Sequence, residues 1–443
     1  MNLLGFFPIA RTTFDMALAE QVIRDARTRL EAAGFTLVGP DAPVTAPDEA
    51  SDAIRTLAAA PPDLVVVLQA TFADSGMVMA LAQAVDAPLL LWAVPEERLG
   101  GRLRLNSLCG INLAAHALTR AGLTYEYLYA APDDNRAPAL AGQLARAGRA
   151  RRILKAARIG RVGENPAGFE TCLFDEAAIG QQFGAEIVQI GLPTVFEAAR
   201  AADPQAIEAV AEGLRVRVDG LDDLDPAPTR GTLGVYLALR DLAENRRLDG
   251  LAVRCWPEFF TDLGCAACGA MSMMSNDGTP CSCEADVNGT LTQVMLQAIS
   301  GEAAFGSDIV AVDDERDGLV LWHCGLAPLS MADPASRPGV TIHSNRKLPL
   351  LFQFTLKPGR VTLARLSQAK GGWRLVVGEG EVQRAPGAFS GTTGVVRFER
   401  PAQDVLDTIL AEGLEHHVSL TYGDHAGVLY SLAKMLELPV LVL

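Results

Sequence analysis

Between Cys281 and Cys324 the chain carries two carboxylates and a histidine at places where elements begin or end. Glu284 follows the turn Asn276-Asp277-Gly278 and precedes a helical pattern over 287–299. The apolar residues Leu291, Val294, Met295 and Ala298 recur there at helical spacing, and the pattern stops at Gly301. Asp308 is expected in a short loop beyond this helix, ahead of an alternating strand that ends in Trp322-His323-Cys324-Gly325. A carboxylate pair with an imidazole can hold a divalent cation, and it can also move protons at a sugar-like centre. The alternative is that Glu284 and Asp308 only cap helices or face solvent.

The histidines cluster late. Five of the six, His323, His343, His416, His417 and His425, lie from position 323 onward. Alternation through His416, Val418, Leu420 and Tyr422 places His417 on the opposite face from His416, so one of the pair is expected in a site while its neighbour packs. The cysteines offer a different centre. Cys265-x-x-Cys268 followed by Cys281-x-Cys283 is similar to a four-thiolate zinc site, although residues 264–275 also read as a buried helix in which thiols are small core residues.

The elements that must position these groups alternate strand and helix over most of the chain. Leu3–Ile9, Leu64–Leu68 and Leu89–Val94 read as strands, the last two as continuous apolar runs covered on both faces. An amphipathic helix spans 16–33. Loops at the carboxyl ends of such strands line clefts, which makes Arg11-Thr12-Thr13-Phe14-Asp15, the segment 69–74 and the loop 106–112 candidates, with helix capping as their plainer role. A second alternating unit follows from about 156, with strands at 158–162, 186–190 and 250–255 and helices at 204–216 and 232–244. From about 330 short alternating runs separated by Gly and Pro predict an antiparallel barrel or sandwich. The expected fold class is therefore α/β. Two doubly wound, Rossmann-like (flavodoxin-like) parallel-sheet domains, 1–155 and 156–330, precede a C-terminal antiparallel β-barrel-like domain, 331–443.

With 443 residues, half of them apolar, the chain can bury a large core. A net charge of −15 argues against nucleic acid and anionic membranes as partners, and no apolar run approaches a membrane span. The basic run from Arg146 to Arg161 reads as a solvated helix. Eight cysteines without a secretory leader are expected as reduced thiols in the cytoplasm.

Taken in order, Gly264-Cys265-x-x-Cys268, Asn276-Asp277-Gly278, Cys283-Glu284-Ala285-Asp286, Phe305-x-x-Asp308, Leu321-Trp322-His323-Cys324-Gly325 and His416-His417 resemble the L-fucose isomerase/L-arabinose isomerase family over nearly the whole chain. One departure is Ala285, where related sequences often carry Gly. The resemblance implies a divalent-metal aldose–ketose isomerase, typically manganese-dependent, in which Glu284 and Asp308 both bind the cation and relay a proton. It implies His417 as a further metal ligand and His323 as another. Sugar contacts are expected at Arg11, Trp322, Asn345 and His416. The resemblance also implies a homo-oligomer, hexameric or trimer-based, in which Arg11–Asp15 closes a neighbour's site. Two alternatives stand beside this. One is an isomerase for an anionic, sulfonated hexose such as sulfoquinovose, with Arg11, Arg254 or Arg346 as anion partner. The other is a non-catalytic sugar-binding protein on the same scaffold.

Overall fold

The computed structural model describes residues 2–443, which form two compact units: 2–152 with Gly427–Glu437, and Ile153–Ala426 with Leu438–Leu443. The first holds a parallel sheet of β1 (Asn2–Ile9), β2 (Phe35–Val38), β3 (Leu64–Gln69), β4 (Leu89–Ala93) and β5 (Glu126–Tyr129), in the order β2-β1-β3-β4-β5. That is the flavodoxin-like order. Period-two alternation splits its side chains between two cores. Leu4, Phe6, Leu64, Val66, Leu90 and Trp92 face one layer of helices. Phe7, Ile9, Val65, Val67, Leu89 and Leu91 face the other. Every residue of β3 and β4 is buried, as continuous apolar runs require.

The second unit starts with a four-stranded parallel sheet, β6 (Arg158–Val162), β7 (Glu186–Ile190), β8 (Gly250–Val253) and β9 (Cys281–Ser282), ordered β7-β6-β8-β9. The chain leaves β9 through a single turn at 283–285 and enters the buried helix Val287–Ser300. It then builds a closed antiparallel barrel. Its strands are β10 (Phe305–Asp313), β11 (Gly318–His323), β14 (Gly359–Ser367), β15 (Arg374–Gln383), β16 (Thr392–Phe398) and β17 (His417–Tyr422). Pairing runs β16-β11-β10-β17-β14-β15 and closes from β15 back to β16. β12 (Gly339–Thr341) and β13 (Leu351–Thr355) extend the sheet beside β16, and β18 (Val440–Val442) pairs with β15.

Three expectations differ from this picture. Asp308 lies inside β10 and not in a loop. The barrel takes its first two strands from 305–323, ahead of the boundary expected at 330, while residues 427–437 pack with the first unit. Local pattern shows β10 and β11 only as alternating strands; which sheet they join is decided by long-range pairing with β16 and β17. The helix expected at 232–244 begins earlier, at Pro226, because Asp225 caps it and proline occupies its first position. No helix among the described residues is long and apolar enough to cross a membrane.

Candidate active site

Barrel register does the first part of the assembly. Asp308 of β10 stands opposite His417 of β17 on one side and opposite Trp322 of β11 on the other. Directly opposed residues of an antiparallel pair share a face, so three residues distant in sequence meet in one row. The Nε2 of His417 lies 3.4 Å from Asp308 Oδ1 and 3.9 Å from Glu284 Oε2. Glu284 arrives from the second sheet, through the turn after β9.

That turn is held in a conformation few side chains adopt. Glu284 and Ala285 both have left-handed backbones, with φ of 59° and 54°. A left-handed non-glycine residue is disfavoured by about 1–2 kcal/mol, and such strain concentrates at functional sites. The side-chain amide of Asn165, in the loop after β6, points at both carbonyls: Nδ2 lies 3.1 Å from Glu284 O and 3.0 Å from Ala285 O. It also lies 2.8 Å from Cys172 O. Asn165 thus pins the turn from a distant loop.

Besides His417, the Glu284 carboxylate has three polar neighbours. His416 Nε2 lies 3.2 Å from Oε2, the Trp256 indole N–H donates to Oε1 at 3.3 Å, and Cys172 Sγ is 3.7 Å from Oε2. Burial pushes its pKa up, but the His416 hydrogen bond, the charges of His417 and His416 and the indole outweigh it, and the net shift is downward. Burial lowers the pKa of His416, and bonding to Glu284 with the charges of Asp308 and Glu284 reverses this to a net rise. The other nitrogen of His416 meets Thr171 Oγ1 at 2.6 Å. Cys172 is held as a neutral thiol, first by burial and then by the charges of Asp286 and Glu284.

Asp286, two residues past Glu284, is buried and makes the densest set of contacts. It caps the helix Val287–Ser300 through Gly289 N (2.9 Å) and binds Arg365 with both oxygens (2.6 and 3.0 Å). Its Oδ2 also meets His417 Nδ1 at 2.9 Å. Its pKa falls well below the usual carboxylate range: burial opposes this, and Arg365 and His417 overcome it. Gly289 permits this crowding, since a Cβ there would lie 2.4 Å from Asp286 Oδ2. When His417 is neutral, the ionised Asp286 beside it holds its proton on Nδ1 and leaves the Nε2 lone pair facing Asp308 and Glu284.

Both histidines of the adjacent pair enter the site, with ring centroids 4.0 Å apart. Strand alternation predicts one in and one out, but His416 precedes the first residue of β17 and escapes the constraint. His323 closes the row, its ring 5.9 Å from that of His417 and 6.2 Å from that of Trp322. Its Nδ1 accepts from the Cys324 backbone N–H at 2.9 Å, which in this arrangement places its proton on Nε2.

The residues suit a divalent cation. Among the described residues, Asp308, His323 and His417 bring ligand atoms within 4.8 Å of one another, as do Cys172, Glu284, His416 and His417. Asp308 Oδ1 is buried without a hydrogen-bond partner, an orphan that a cation would satisfy. Two carboxylates with a neutral imidazole match the preferences of manganese-type ions.

The other expected residues make contacts of their own. Arg11 belongs to the first unit, where it pairs with Asp74 at 3.2 Å and covers the Phe72 ring. Asn345 is exposed, with its backbone N–H toward His343 Nδ1 at 3.3 Å. The Trp322 indole donates to Ser390 O at 2.8 Å. The four cysteines at 265, 268, 281 and 283 do not gather: Cys283 approaches Cys255 (2.7 Å) and Cys268 approaches Cys324 (3.3 Å). Sequence reading missed Asp286, Arg365, Asn165, Thr171 and Trp256 as site residues. For Asp286 the signal was present, an acid three residues before a glycine at a helix start; for the others none is local.

The N-terminal domain model described as fucose/sulfoquinovose isomerase matches residues 5–158, and the L-fucose isomerase C-terminal domain model matches 352–443. A protein from Alkalicoccus urumqiensis described as sulfoquinovose isomerase is 32% identical over 98% of both chains. One of the same description from Priestia aryabhattai is 32% identical over 98% of this chain and 97% of its own. A third, from a Clostridium species, is 27% identical over 98% of each.

Proposed function

The chain belongs to the fucose/sulfoquinovose isomerase family and is a sugar isomerase, and from that premise we propose that it interconverts a 6-sulfonated aldohexose of the sulfoquinovose type with its 2-ketose. The observation that carries this reading is the meeting of Glu284, Asp308 and the oriented Nε2 of His417 around an unsatisfied carboxylate oxygen. The relatives' shared description supplies the substrate class.

The reaction moves a proton between C2 and C1 and shifts the carbonyl the other way. A bound divalent cation, manganese in our reading, held by Glu284, Asp308 and His417, would supply Lewis-acid stabilisation of charge on the sugar oxygens. The chain's own groups do the rest. Glu284, kept ionised by its neighbours, has the carboxylate form that a base requires. Asp308 is the second carrier, able to receive or return the proton. His416, bonded to Glu284 Oε2 and steadied by Thr171, can donate to a sugar oxygen as the carbonyl migrates. His323, which the resemblance implies as a metal ligand, serves in our reading as a further donor beside Asp308, because its Nδ1 accepts from Cys324 N–H and its proton then lies on Nε2. The Trp322, His323 and His417 rings line one side of the site, with neighbouring centroids 6.2 and 5.9 Å apart. We carry the homo-oligomer forward within the same reading; light scattering of the purified chain tests it.

The test is an assay of the manganese-loaded chain against sulfoquinovose, L-fucose, L-arabinose and D-glucose, with ketose formation as readout. Turnover led by sulfoquinovose supports the proposal. Efficient turnover of a neutral sugar with none of sulfoquinovose overturns the substrate class, and no turnover of any aldose favours the sugar-binding alternative.

A further inference from the structure

An isomerase for a sulfonated hexose must hold a permanent anion at the far end of the sugar, so this inference rests on the substrate reading above. Three arginines were candidates for that anion, and their surroundings separate them. Arg11 pairs with Asp74. Arg254 is saturated: Nε and Nη2 each reach Glu258 at 2.8 Å, and Nη1 reaches Glu164 O at 3.1 Å. Arg346 has no carboxylate within ion-pairing distance among the described residues.

Its guanidinium is nonetheless placed with care. The Arg346 Cζ lies 4.9 Å from the Trp256 ring centroid and 5.2 Å from that of Phe260. Its Nη1 lies 3.1 Å from His343 Nε2. His343 is buried, packs edge-on against Phe260 at 5.2 Å and anchors the turn that carries Arg346. Aromatic faces attract a guanidinium without neutralising it. One of its five N–H donors faces His343, and the remaining edge is left for a bidentate anion.

The location matters as much as the vacant charge. The Trp256 indole that Arg346 covers is the one whose N–H donates to Glu284 Oε1 at 3.3 Å. Arg346 and the base are therefore one indole apart. In an extended hexose sulfonated at C6 the sulfur lies on the order of 7 Å from C1, at roughly 1.5 Å per bond along a zigzag chain. A sugar with its C1–C2 end at Glu284 and Asp308 can lie along Trp256 and deliver its sulfonate to Arg346.

We propose that Arg346, held between Trp256 and Phe260, is the residue that binds the substrate's sulfonate and sets the preference for a sulfonated over a neutral hexose. The sulfonate is far from the reacting carbons, so this contact is made equally in ground and transition states. Its loss raises KM and leaves kcat largely intact.

The test is steady-state kinetics of manganese-loaded wild type, Arg346→Met and Arg346→Lys on sulfoquinovose. The expected result for Arg346→Met is a KM raised about 30- to 100-fold with kcat within about threefold. Arg346→Lys, a point charge without the fork, should recover part of this, with KM raised about fivefold to twentyfold. A kcat loss at unchanged KM would mean that Arg346 only supports Trp256 and Glu284, and it overturns the proposal, as does an unchanged KM in both variants. If Arg346→Met does not fold, the Arg346→Lys KM decides alone. Wild type that ignores sulfoquinovose but isomerises a neutral aldose removes the substrate reading. Wild type that accepts sulfoquinovose while the variants keep its KM removes only the role of Arg346.

Discussion

Asp286 Oδ2 sits 2.9 Å from Nδ1 of His417, and this one contact decides which face of the imidazole is left for chemistry. Asp286 does so from inside the protein, with Arg365 as counter-charge. In the metal site proposed above, the pair would clamp a ligand without being one.

Replacing Asp286 by Asn keeps the helix cap but removes the charge. Arg365 then loses its bidentate partner and keeps only Glu415, whose Oε2 lies 3.9 Å from Nε, an imbalance that destabilises by up to about 3–5 kcal/mol. His417 loses its tautomer lock, and manganese affinity should fall about 10- to 100-fold. Thermal melting and metal titration of Asp286→Asn check both effects; unchanged metal affinity would show that His417 orients without Asp286.

Asn165 and Ala285 test the strained turn. Asn165→Ala frees the carbonyls of Glu284 and Ala285 and lets the carboxylate wander, so kcat should drop by about 10- to 100-fold. Ala285→Gly adopts φ near 54° without penalty, though it gains chain entropy when unfolded, so its melting point should equal or slightly exceed wild type. A strongly destabilised Ala285→Gly would mean that the buried methyl group outweighs the backbone.

How far the sequence led is clear from these residues. Glu284, Asp308, His416 and His417 were readable because acids and histidines at element ends stand out against apolar periodicity. The parallel sheets were readable from fully apolar strands. Asn165, Thr171 and Arg365 were not, because polar residues in loops and strands acquire a role only when distant segments pair. Long-range antiparallel pairing brings β14, with Arg365, beside β17 with His417, and no local pattern announces that neighbour. Asp308 was found by type and spacing, yet its place in a strand depended on pairing with β17.

His343 gives a pH signature. Burial pushes its imidazole down to about 4 from the ordinary 6.5, and the charges of Arg346 and His323 add to this. The folded state therefore binds this proton less readily than the unfolded chain. The resulting stability is present above pH 6.5 and is lost as pH falls through the window from 6.5 to about 4. Urea midpoints at pH 7 and pH 4.5 should differ more for wild type than for His343→Gln. Equal losses in the two proteins would show that His343 is not protonated in this window.

The last prediction concerns the path of the hydrogen. A proton removed from C2 by a carboxylate is held briefly as a carboxylic acid, which can exchange with nearby water before returning it. Glu284 is partly exposed, and its partner His416 Nε2 lies 3.2 Å away, which offers the proton a route outward. Turnover in deuterium oxide should therefore place deuterium at C1 of the ketose, or at C2 of the aldose recovered from the reverse reaction. Glu284→Gln and Asp308→Asn should each lower kcat at least about 100-fold while leaving a folded protein, because the proposed mechanism uses both carboxylates as proton carriers. A direct hydride shift from carbon to carbon would leave the product unlabelled over many turnovers. That result, read by proton NMR of the ketose, would reduce Glu284 and Asp308 to cation ligands and remove the proton-carrier roles argued here.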